Sequence, residues 1–326
     1  VLVSLMSTFN FSELTPDLIL DAIESEGVLV ESGLLALNSY ENRVYQFIGQ
    51  DNKRYVAKFY RPQRWSEAQL SEEHSFSLEL AEHEVPVVAP LVINGKSLHQ
   101  YQGYQFALFP SVGGRQFEVD NLDQLEWRGC FIGRIHQVAK TRLFSHRPTI
   151  GIEDYLVKSV AELQNSQLIP QSLHEAFFTI LEQVVKLTSE RYHTTDIIRL
   201  HGDCHPGNIL WRDGPTFVDL DDCRNGPAVQ DLWMMLSGDR QSQSLQLSTI
   251  VEAYDEFCEF NPTQLSLIEP LRAMRMVHYM AWLHRRWQDP AFPQAFAWFA
   301  EPKYWEQQIL ALKEQFSALH ETELRI

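Results

Sequence analysis

Short runs of alternating apolar and polar residues dominate the first third of the chain, and this alternation predicts β-strands. Strands are expected at 28–37, 43–49, 54–60, 91–93, 95–99 and 104–109. A helix over 15–25 precedes them, with Thr15 as its cap. A second helix over 66–84 interrupts them, because Ser66 and Gln69 have the spacing of a capping box. The pattern therefore predicts a sheet of about five or six strands that carries one inserted helix.

Beyond Pro110 and a pair of glycines, the apolar residues recur with helical spacing. Helices are expected over 121–140, 151–165, 170–192, 228–238, 243–259, 263–288 and 303–322. A short β-like island interrupts them at 209–211 and 216–220. The predicted fold class is α+β with two lobes, a small β-rich lobe over 1–110 and a large, mainly helical lobe over 111–326. A cleft between two lobes is where ligands usually bind.

The chain is strongly acidic: among its 326 residues, 43 Asp and Glu stand against 27 Lys and Arg, for a formal net charge of −16. Such a charge repels phosphate backbones and anionic lipid, so neither nucleic acid nor a membrane is expected as a partner. The four cysteines show no C-x-x-C spacing, and residues 1–6 lack the basic leader of a secretory signal. The apolar stretch 273–282 contains Arg275 and His278 and is too short for a membrane span. We therefore expect a cytoplasmic protein with reduced thiols.

One segment carries the residue types that phosphoryl transfer requires. It reads H-G-D-C-H-P-G-N over 201–208 and leads, through a short apolar run, to Asp219. Phosphoryl transfer needs a carboxylate that accepts a hydrogen bond from the attacking hydroxyl, and an amide oxygen and a second carboxylate that hold magnesium against the phosphates. Asp203 fits the first role, and Asn208 and Asp219 fit the second. The segment predicts a phosphotransfer site with Mg²⁺ as cofactor, in which Asp203 and Asp219 are the catalytic residues.

The pattern H-G-D-x-x-x-x-N followed by an aspartate at the end of a strand resembles the kinase-like phosphotransferases. That group includes aminoglycoside phosphotransferases, choline kinases and eukaryotic protein kinases. The resemblance implies a two-lobed protein-kinase-like fold, in which 1–110 binds the nucleotide and 111–326 carries the catalytic and acceptor-binding residues. It also implies ATP as the phosphoryl donor.

Lys58 resembles the strand lysine that contacts the nucleotide phosphates in this group. The group pairs that lysine with a helical glutamate, for which Glu73 is the first choice and Glu72 the alternative. A solvated lysine at a sheet edge is the simpler interpretation of a lysine on a strand. The apolar neighbours of Lys58, and the glutamate pair about fifteen residues later, favour nucleotide binding instead.

The turn that would cover the phosphates departs from protein kinases, because the chain contains no G-x-G-x-x-G. In its place 37–44 reads L-N-S-Y-E-N-R-V, and its Ser and Asn residues can offer backbone N–H groups and polar side chains to a phosphate. Ser39 is the predicted contact. The segment 106–111 corresponds to the hinge between the lobes, where Phe109 and Ser111 are predicted to contact the adenine.

Several further positions allow two interpretations. Gly202 stands where protein kinases carry an arginine that receives a phosphorylated activation loop, so no such clamp is expected. Asp231 matches a structural aspartate of the group, but an ordinary acid at a helix N-terminus explains it equally well. Asp221 could assist the metal site, although an acid in a turn is the simpler interpretation. The basic run 284–286 could contact an acidic substrate, and an exposed helix end explains it equally well.

Five segments extend the resemblance over nearly the whole chain, to the stress response kinase A family of the YihE/RdoA type: 37–47, 109–117, 146–151, 217–222 and 224–233. That family implies a cytoplasmic, monomeric serine/threonine protein kinase of a bacterial stress response. Its partners would be Mg²⁺, ATP and a protein acceptor, with the kinase itself among the candidates. Two rivals are a small-molecule kinase for an amino alcohol or aminoglycoside, and a nucleotide-binding regulator without catalysis.

Overall fold

The computed structural model of the protein describes residues 10–194 and 196–326, so the segment 1–6 lies outside the described residues. The chain divides into two compact units. The N-terminal unit comprises the described residues up to Gln116 together with Ile209–Asp221. The C-terminal unit comprises Phe117–Asn208 and Asp222–Ile326. The segment Ile209–Asp221 follows the predicted catalytic motif, 201–208, in sequence. It nevertheless belongs to the N-terminal unit.

An antiparallel sheet of five strands forms the centre of the N-terminal unit, in the order β1-β2-β3-β5-β4. Its strands are β1 (Leu35–Ala36), β2 (Arg43–Ile48), β3 (Arg54–Phe59), β4 (His99–Tyr101) and β5 (Tyr104–Pro110). Strand β5 ends at Pro110, the predicted lobe boundary, whereas the N-terminal unit continues to Gln116 and also includes Ile209–Asp221. The register pairs Lys58 of β3 with Val44 on one side and with Ala107 on the other. Lys58 therefore lies on the central strand and is not an edge lysine.

Two helices accompany this sheet, and both begin where the sequence predicts. Helix α1 (Pro16–Ser25) starts after Thr15, whose hydroxyl oxygen accepts a hydrogen bond from the backbone N–H of Leu18. Helix α2 (Glu67–Glu82) starts with the predicted capping box of Ser66 and Gln69. Helix α1 contributes to an apolar core with β2, β3 and β5, made of Ile19, Ala22, Ile23, Phe47, Ala57, Phe59, Tyr104, Phe106 and Leu108.

Three predicted strands are wrong in extent. The segment 28–37 forms a strand only at Leu35–Ala36, with one further bridge between Val30 and Gly49. The segment 91–93 forms no strand, and 95–99 contributes only its last residue, the start of β4. Asn94 and Gly95 both have positive φ, at 52° and 78°, and form a tight turn that is closed by one bridge, between Ile93 and Lys96.

A three-stranded sheet in the order β6-β8-β9 completes the N-terminal unit. Its strands are β6 (Arg115–Gln116), β8 (Ile209–Trp211) and β9 (Pro215–Phe217). The predicted strand 216–220 is too long, because β9 ends at Phe217. Asp219 follows with a φ of 59°, in the left-handed region, and a 3₁₀ turn spans Leu220–Asp222. This backbone turn directs the chain away from the sheet at Asp219.

Helices make up most of the C-terminal unit: α3 (Leu122–Ala139), α4 (Lys158–Gln164), α5 (His174–Arg191), α6 (Gln230–Trp233), α7 (Arg240–Asp255), α8 (Ile268–Arg286), α9 (Ala291–Ala295) and α10 (Pro302–Ala318). A π-helical turn, Glu153–Val157, leads into α4, and a 3₁₀ segment, Pro262–Leu267, leads into α8. Helices α3 and α7 pack so closely that a Cβ on Gly129 would lie 2.4 Å from the carbonyl oxygen of Ile250. Among the described helices none is both long and apolar enough to cross a membrane.

Two differences from the sequence prediction lie next to the catalytic motif. The predicted helix 228–238 shrinks to α6, whose second residue turns its side chain to the motif, as described below. The sequence also gave no sign of the short antiparallel pair β7 (Ile198–Leu200) and β10 (Arg224–Gly226). These strands flank the two ends of the motif region, 201–222. The sheet unit and the helical unit agree with the predicted α+β class.

Candidate active site

Four charged side chains meet inside the N-terminal unit, and we call them the Lys58 cluster: Lys58 of β3, Glu73 of α2, and Asp219 and Asp221 after β9. The nitrogen Nζ of Lys58 lies 2.8 Å from Oδ1 of Asp219, 3.3 Å from Oδ1 of Asp221 and 3.9 Å from Oε1 of Glu73. The structure thus pairs Lys58 with Glu73, the first choice of the sequence analysis. The alternative, Glu72, lies one residue earlier on α2 and is half-buried.

Charge is unequally balanced in the Lys58 cluster. Lys58 is buried, and burial alone would lower its pKa. The carboxylates of Asp219, Asp221 and Glu73 outweigh that effect and raise the pKa of Lys58 well above its ordinary value. The lysine is therefore a permanent cation among three carboxylates. The side chain of Asp219 is 54% exposed, so it can reach a ligand, whereas Glu73 is buried.

Asp221 lies in a turn, as the simpler interpretation had it, but the turn is not at the surface. The residue is buried, and its Oδ2 accepts a hydrogen bond of 3.1 Å from Nδ2 of Asn42. Arg64 forms a further close ion pair with the same oxygen. Asp221 therefore connects Lys58 to the turn between β1 and β2.

Side chains fix that turn, and glycine plays no part in it. Asn42 is buried, and its Oδ1 accepts a hydrogen bond of 3.0 Å from the backbone N–H of Arg61. Arg61 also contacts Glu41 at 2.9 Å. The hydroxyl of Ser39, the predicted phosphate contact, donates to the carbonyl oxygen of Asn42 at 3.3 Å. The sequence pattern places Asn42 in the phosphate-covering turn but does not reveal its contacts with Asp221 and Arg61. The available signal was the run R-P-x-R over 61–64, just after the lysine strand.

The two residues predicted to contact adenine lie at the end of β5. Phe109 pairs with Val56, two residues before Lys58 on β3. Ser111 accepts a hydrogen bond of 2.6 Å on its hydroxyl oxygen from the side-chain amide of Gln46. Its backbone N–H donates to the carbonyl oxygen of Arg54. Within this unit the hinge segment is thus anchored to β2 and β3.

The second half of the predicted site is the Asp203 loop, residues 201–208 of the C-terminal unit. Nη1 of Arg275, on α8, lies 2.5 Å from Oδ1 of Asp203, and Nε2 of His205 lies 3.4 Å from Oδ2. The side-chain nitrogen of Asn208 donates to the carbonyl oxygen of Asp203 at 3.0 Å. This hydrogen bond closes the loop between Asp203 and Asn208 and uses only the nitrogen of the Asn208 amide, not its oxygen.

The surroundings of Asp203 favour its charged form. Burial alone would raise the pKa of this carboxyl. A hydrogen bond from His205 and the charge of Arg275 outweigh burial and hold the pKa well below its usual range. Asp203 is therefore ionised at every physiological pH. Neither His205 nor Arg275 was assigned a role from the sequence, and Arg275 lies too far along the chain for a local motif to reveal it.

A buried aspartate fixes the backbone of the loop. Asp231 is fully buried, and its Oδ2 accepts hydrogen bonds from the backbone N–H of His201 at 2.8 Å and from Nε2 of His136 at 3.1 Å. Its Oδ1 accepts from the backbone N–H of Gly202 at 2.9 Å. Arg128 donates to its carbonyl oxygen. The structural role of Asp231 replaces its interpretation as an ordinary acid at a helix N-terminus.

Gly202 is the position at which protein kinases carry arginine, and here its backbone excludes a side chain. Its φ is +85°, and a Cβ at this position would lie 2.3 Å from the carbonyl oxygen of Asp222. The neighbouring Cys204 is a free, buried thiol, and burial raises its pKa to about 12. The loop is therefore built for a fixed backbone and has no reactive thiolate.

The structure thus brings Lys58, Glu73 and Asp219 together within the N-terminal unit, and Asp203 and Asn208 together within the C-terminal unit. Comparison with known proteins bears on what these residues do. The sequence pattern of the phosphotransferase enzyme family matches residues 34–268. The chain belongs to this family.

Curated relatives of this phosphotransferase are similar over nearly their whole length. Stress response kinase A of Escherichia coli K12 is 53% identical over 321 residues, which are 98% of each chain. A protein of Salmonella typhimurium LT2 named serine/threonine protein kinase RdoA is also 53% identical, again over 98% of each chain. The resemblance to the stress response kinase A family is confirmed. The protein is therefore a phosphotransferase of the kinase type.

Solved structures of low sequence identity share the fold of this phosphotransferase. Amicoumacin kinase hAmiN, in complex with AMP-PNP, Ca²⁺ and Ami, has a TM-score of 0.71 at 16% identity, over 93% of each chain. A microcompartment-associated aminopropanol kinase has a TM-score of 0.69 at 17% identity, over 94% of this chain and 99% of the other. At such identities the likeness shows the fold alone. It confirms the predicted two-lobed, kinase-like α+β fold.

Proposed function

We propose that the protein is a serine/threonine protein kinase that transfers the γ-phosphate of ATP, with Mg²⁺, to a Ser or Thr hydroxyl. The observation that carries the proposal is the Asp203 loop: an ionised carboxylate on a loop whose backbone Asp231 holds in place. In this role Asp203 accepts the hydrogen bond of the acceptor hydroxyl, orients it and takes up its proton. Most of the rate enhancement in such reactions comes from positioning and from neutralisation of charge.

The Lys58 cluster supplies the proposed nucleotide site. Lys58, held by Glu73, orients the phosphates, as a lysine surrounded by acids can do without losing its charge. Ser39 lies on the turn that would cover the phosphates, and Phe109 and Ser111 lie on the segment that would contact the adenine. These nucleotide contacts follow from the positions of the residues in the fold and are part of the proposal.

The donor atoms suit magnesium. Asp219 offers an exposed carboxylate, and Asn208 offers an amide oxygen to which no donor is bound among the described residues. Both are hard oxygen ligands of the type that Mg²⁺ prefers. Of the three carboxylates around Lys58, that of Asp221 also pairs with Arg64, and that of Asp219 is the exposed one that a divalent cation could reach. When bound, the metal neutralises charge on the phosphates, and Asp219 and Asn208 would hold it.

A protein acceptor is supported by the relatives. The Salmonella relative named as a serine/threonine protein kinase is 53% identical over 98% of each chain. The solved kinases named for amicoumacin and aminopropanol are only 16% and 17% identical, so they support a small-molecule acceptor far less. The name stress response kinase A further supports a role in a bacterial stress response. The same proposal includes a cytoplasmic location and a monomeric state. It also includes the kinase itself as one acceptor.

Radiolabelled ATP tests the proposal. The purified protein is incubated with γ-labelled ATP, Mg²⁺ and a bacterial extract that has been separated into proteins and small metabolites. We expect label on Ser or Thr of one or more proteins, and no label above background with Asp203→Asn. Label confined to the metabolite fraction would instead identify a small-molecule kinase. If the protein binds ATP but transfers label neither to proteins nor to metabolites, it is a nucleotide-binding regulator.

A further inference from the structure

Basic side chains hold the carboxylate of Asp203 on both sides. His205, which lies 3.4 Å from Oδ2, belongs to the same loop. Arg275, which lies 2.5 Å from Oδ1, comes from α8 instead. Any hydroxyl that approaches the proposed base therefore also approaches the guanidinium of Arg275. This arginine has no role in the mechanism proposed above beyond holding Asp203.

Arg275 remains accessible although it contacts Asp203. Its side chain is 40% exposed, and no second carboxylate pairs with it among the residues that the structure describes. A guanidinium carries five N–H donors in a rigid fork that matches the geometry of carboxylates and phosphates. One contact with Oδ1 leaves most of these donors for another anion. Arg275 can thus bind the base and a second negative group together.

Other basic residues of α8 contact acids of their own unit. His284 and Arg285, part of the basic run considered in the sequence analysis, both contact Glu162, at 2.9 Å and 3.8 Å. Arg272 contacts Glu269 at 3.6 Å. The basic run at the end of the helix is therefore a weaker candidate for contact with an acidic substrate than the arginine at the base.

The distance between base and arginine limits where the second anion can lie. A hydroxyl donates to a carboxylate oxygen at about 2.7 Å. Whichever oxygen of Asp203 accepts this hydrogen bond, Nη1 of Arg275 lies at most about 7 Å from the hydroxyl oxygen of the substrate. A carboxylate on a residue adjacent to the acceptor Ser or Thr can span that distance. The acidic surface elsewhere does not prevent this contact, because salt screens distant charges over about 8 Å.

We infer that Arg275 is a specificity-determining residue that selects acceptors with a negatively charged group beside the hydroxyl. The inference rests on the proposed protein kinase function and names the substrate class of its site. In this arrangement the acidic group of the acceptor binds the free N–H donors of Arg275 while the hydroxyl binds Asp203. The same arginine thus orients the base and recognises the acceptor.

A pair of synthetic peptides tests the inference. The peptides contain one Ser and differ only in the two flanking residues, which are Asp in one peptide and Asn in the other. With the unchanged protein we expect kcat/KM to be about tenfold higher for the Asp peptide, as one charge-assisted hydrogen bond supports. Arg275→Gln should reduce that ratio to about one, whatever its effect on kcat with both peptides, because the neutral amide cannot attract the carboxylate. Arg275→Lys should restore part of the ratio.

Arg272→Gln is the matched control, since it removes another arginine of α8 that is paired with Glu269, and it should leave the ratio unchanged. Equal kcat/KM for the two peptides with the unchanged protein, or a ratio that survives Arg275→Gln, overturns the inference while the protein kinase function stands. If neither peptide is labelled and label from ATP appears only on small molecules, the proposed function fails, and the inference fails with it.

Discussion

The Lys58 cluster and the Asp203 loop place charge in opposite ways. In the Lys58 cluster a buried cation lies among three carboxylates, and the contacts run from side chain to side chain. In the Asp203 loop one carboxylate lies between two basic groups, and a buried aspartate fixes the backbone beneath it. The first arrangement suits an anionic ligand that carries a bound cation. The second suits one hydroxyl that must be oriented and deprotonated.

The contacts in each region predict the effect of a substitution there. Side-chain contacts can be removed singly, so changes in the Lys58 cluster should alter ligand affinity and leave the fold intact. Backbone contacts support a whole loop, so changes beneath the Asp203 loop should alter stability as well. Four substitutions probe this contrast, in order of expected effect.

Asp203→Asn should produce the largest loss. The amide keeps the shape of the side chain but cannot take up the proton of the acceptor, so kcat should fall by about 10²–10⁴. Nucleotide affinity should stay within about twofold, because the proposed nucleotide contacts lie in the other unit. Steady-state phosphotransfer and equilibrium binding of a fluorescent ATP analogue measure the two quantities. An Asp203→Asn protein with full activity would contradict the role assigned to this carboxylate.

Asp231→Asn should destabilise the protein by about 3 kcal/mol. The amide nitrogen is itself a donor and would face a backbone N–H group from which a carboxylate oxygen now accepts a hydrogen bond. Burial would raise the pKa of Asp231, but the hydrogen bond and charge of His136, with the backbone N–H of Gly202, hold it below its ordinary value. The native state therefore releases this proton more readily than the unfolded chain. The stabilisation should be complete above the unfolded pKa of about 3.9 and should be lost as the pH falls from there through the lower pKa of the folded state.

Urea unfolding of both proteins at pH 7 and at successively lower pH values measures this effect. Asp123→Asn, at an exposed acid near the start of α3, is the control and should change stability by less than about 0.5 kcal/mol. A difference between Asp231→Asn and the unchanged protein that persists undiminished at pH 3 would show that the charge of Asp231 is not what stabilises the loop.

Asp219→Asn should weaken the binding of Mg²⁺ and ATP by about 10- to 100-fold, the value of losing one charge-assisted contact. Stability should change little, because the side chain is 54% exposed. Titration of nucleotide affinity against Mg²⁺ concentration provides the measurement. Asp213→Asn is a close control, since Asp213 and Asp219 have nearly the same positive φ, at 58° and 59°. An equal loss of affinity in both variants would point to a backbone effect and away from metal binding.

Asn42→Ala should have the smallest effect of the four. It leaves Asp221 and the N–H of Arg61 with one hydrogen-bond partner fewer and loosens the turn that carries Ser39. We expect KM for ATP to rise about three- to tenfold with kcat nearly unchanged. Asn38→Ala changes an exposed residue of the same turn and should leave KM within about twofold. A fall in kcat at constant KM would contradict a role in holding the phosphate-covering turn.

Local sequence patterns predicted the parts of the molecule that depend on local contacts. Thr15 and Ser66 mark the starts of α1 and α2, because a cap is made by residues only three apart. The H-G-D motif predicted Asp203 and Asn208, whose mutual hydrogen bond spans five residues. The pairing of Lys58 with Glu73 was also foreseen, since a strand lysine and the following helix are expected to meet.

Contacts between distant segments were beyond such patterns. Arg275 reaches Asp203 from α8, and Asn42 reaches Asp221 from the turn before β2, although neither pair has a characteristic spacing. The short strands β7 and β10 were missed because three residues carry too little periodicity to detect. Asp231 was left undecided, because only the fold shows that its carboxylate faces the loop and not its own helix.

The tight approach between Gly202 and Asp222 has an evolutionary consequence. An arginine at 202 could enter only if the carbonyl at 222 moved away in the same event, since the two occupy nearly the same space. A lineage with this loop thus cannot acquire the phosphate-sensing arginine of protein kinases through one tolerated mutation. Control through a phosphorylated loop bound to an arginine at 202 is therefore closed to this loop in its present geometry.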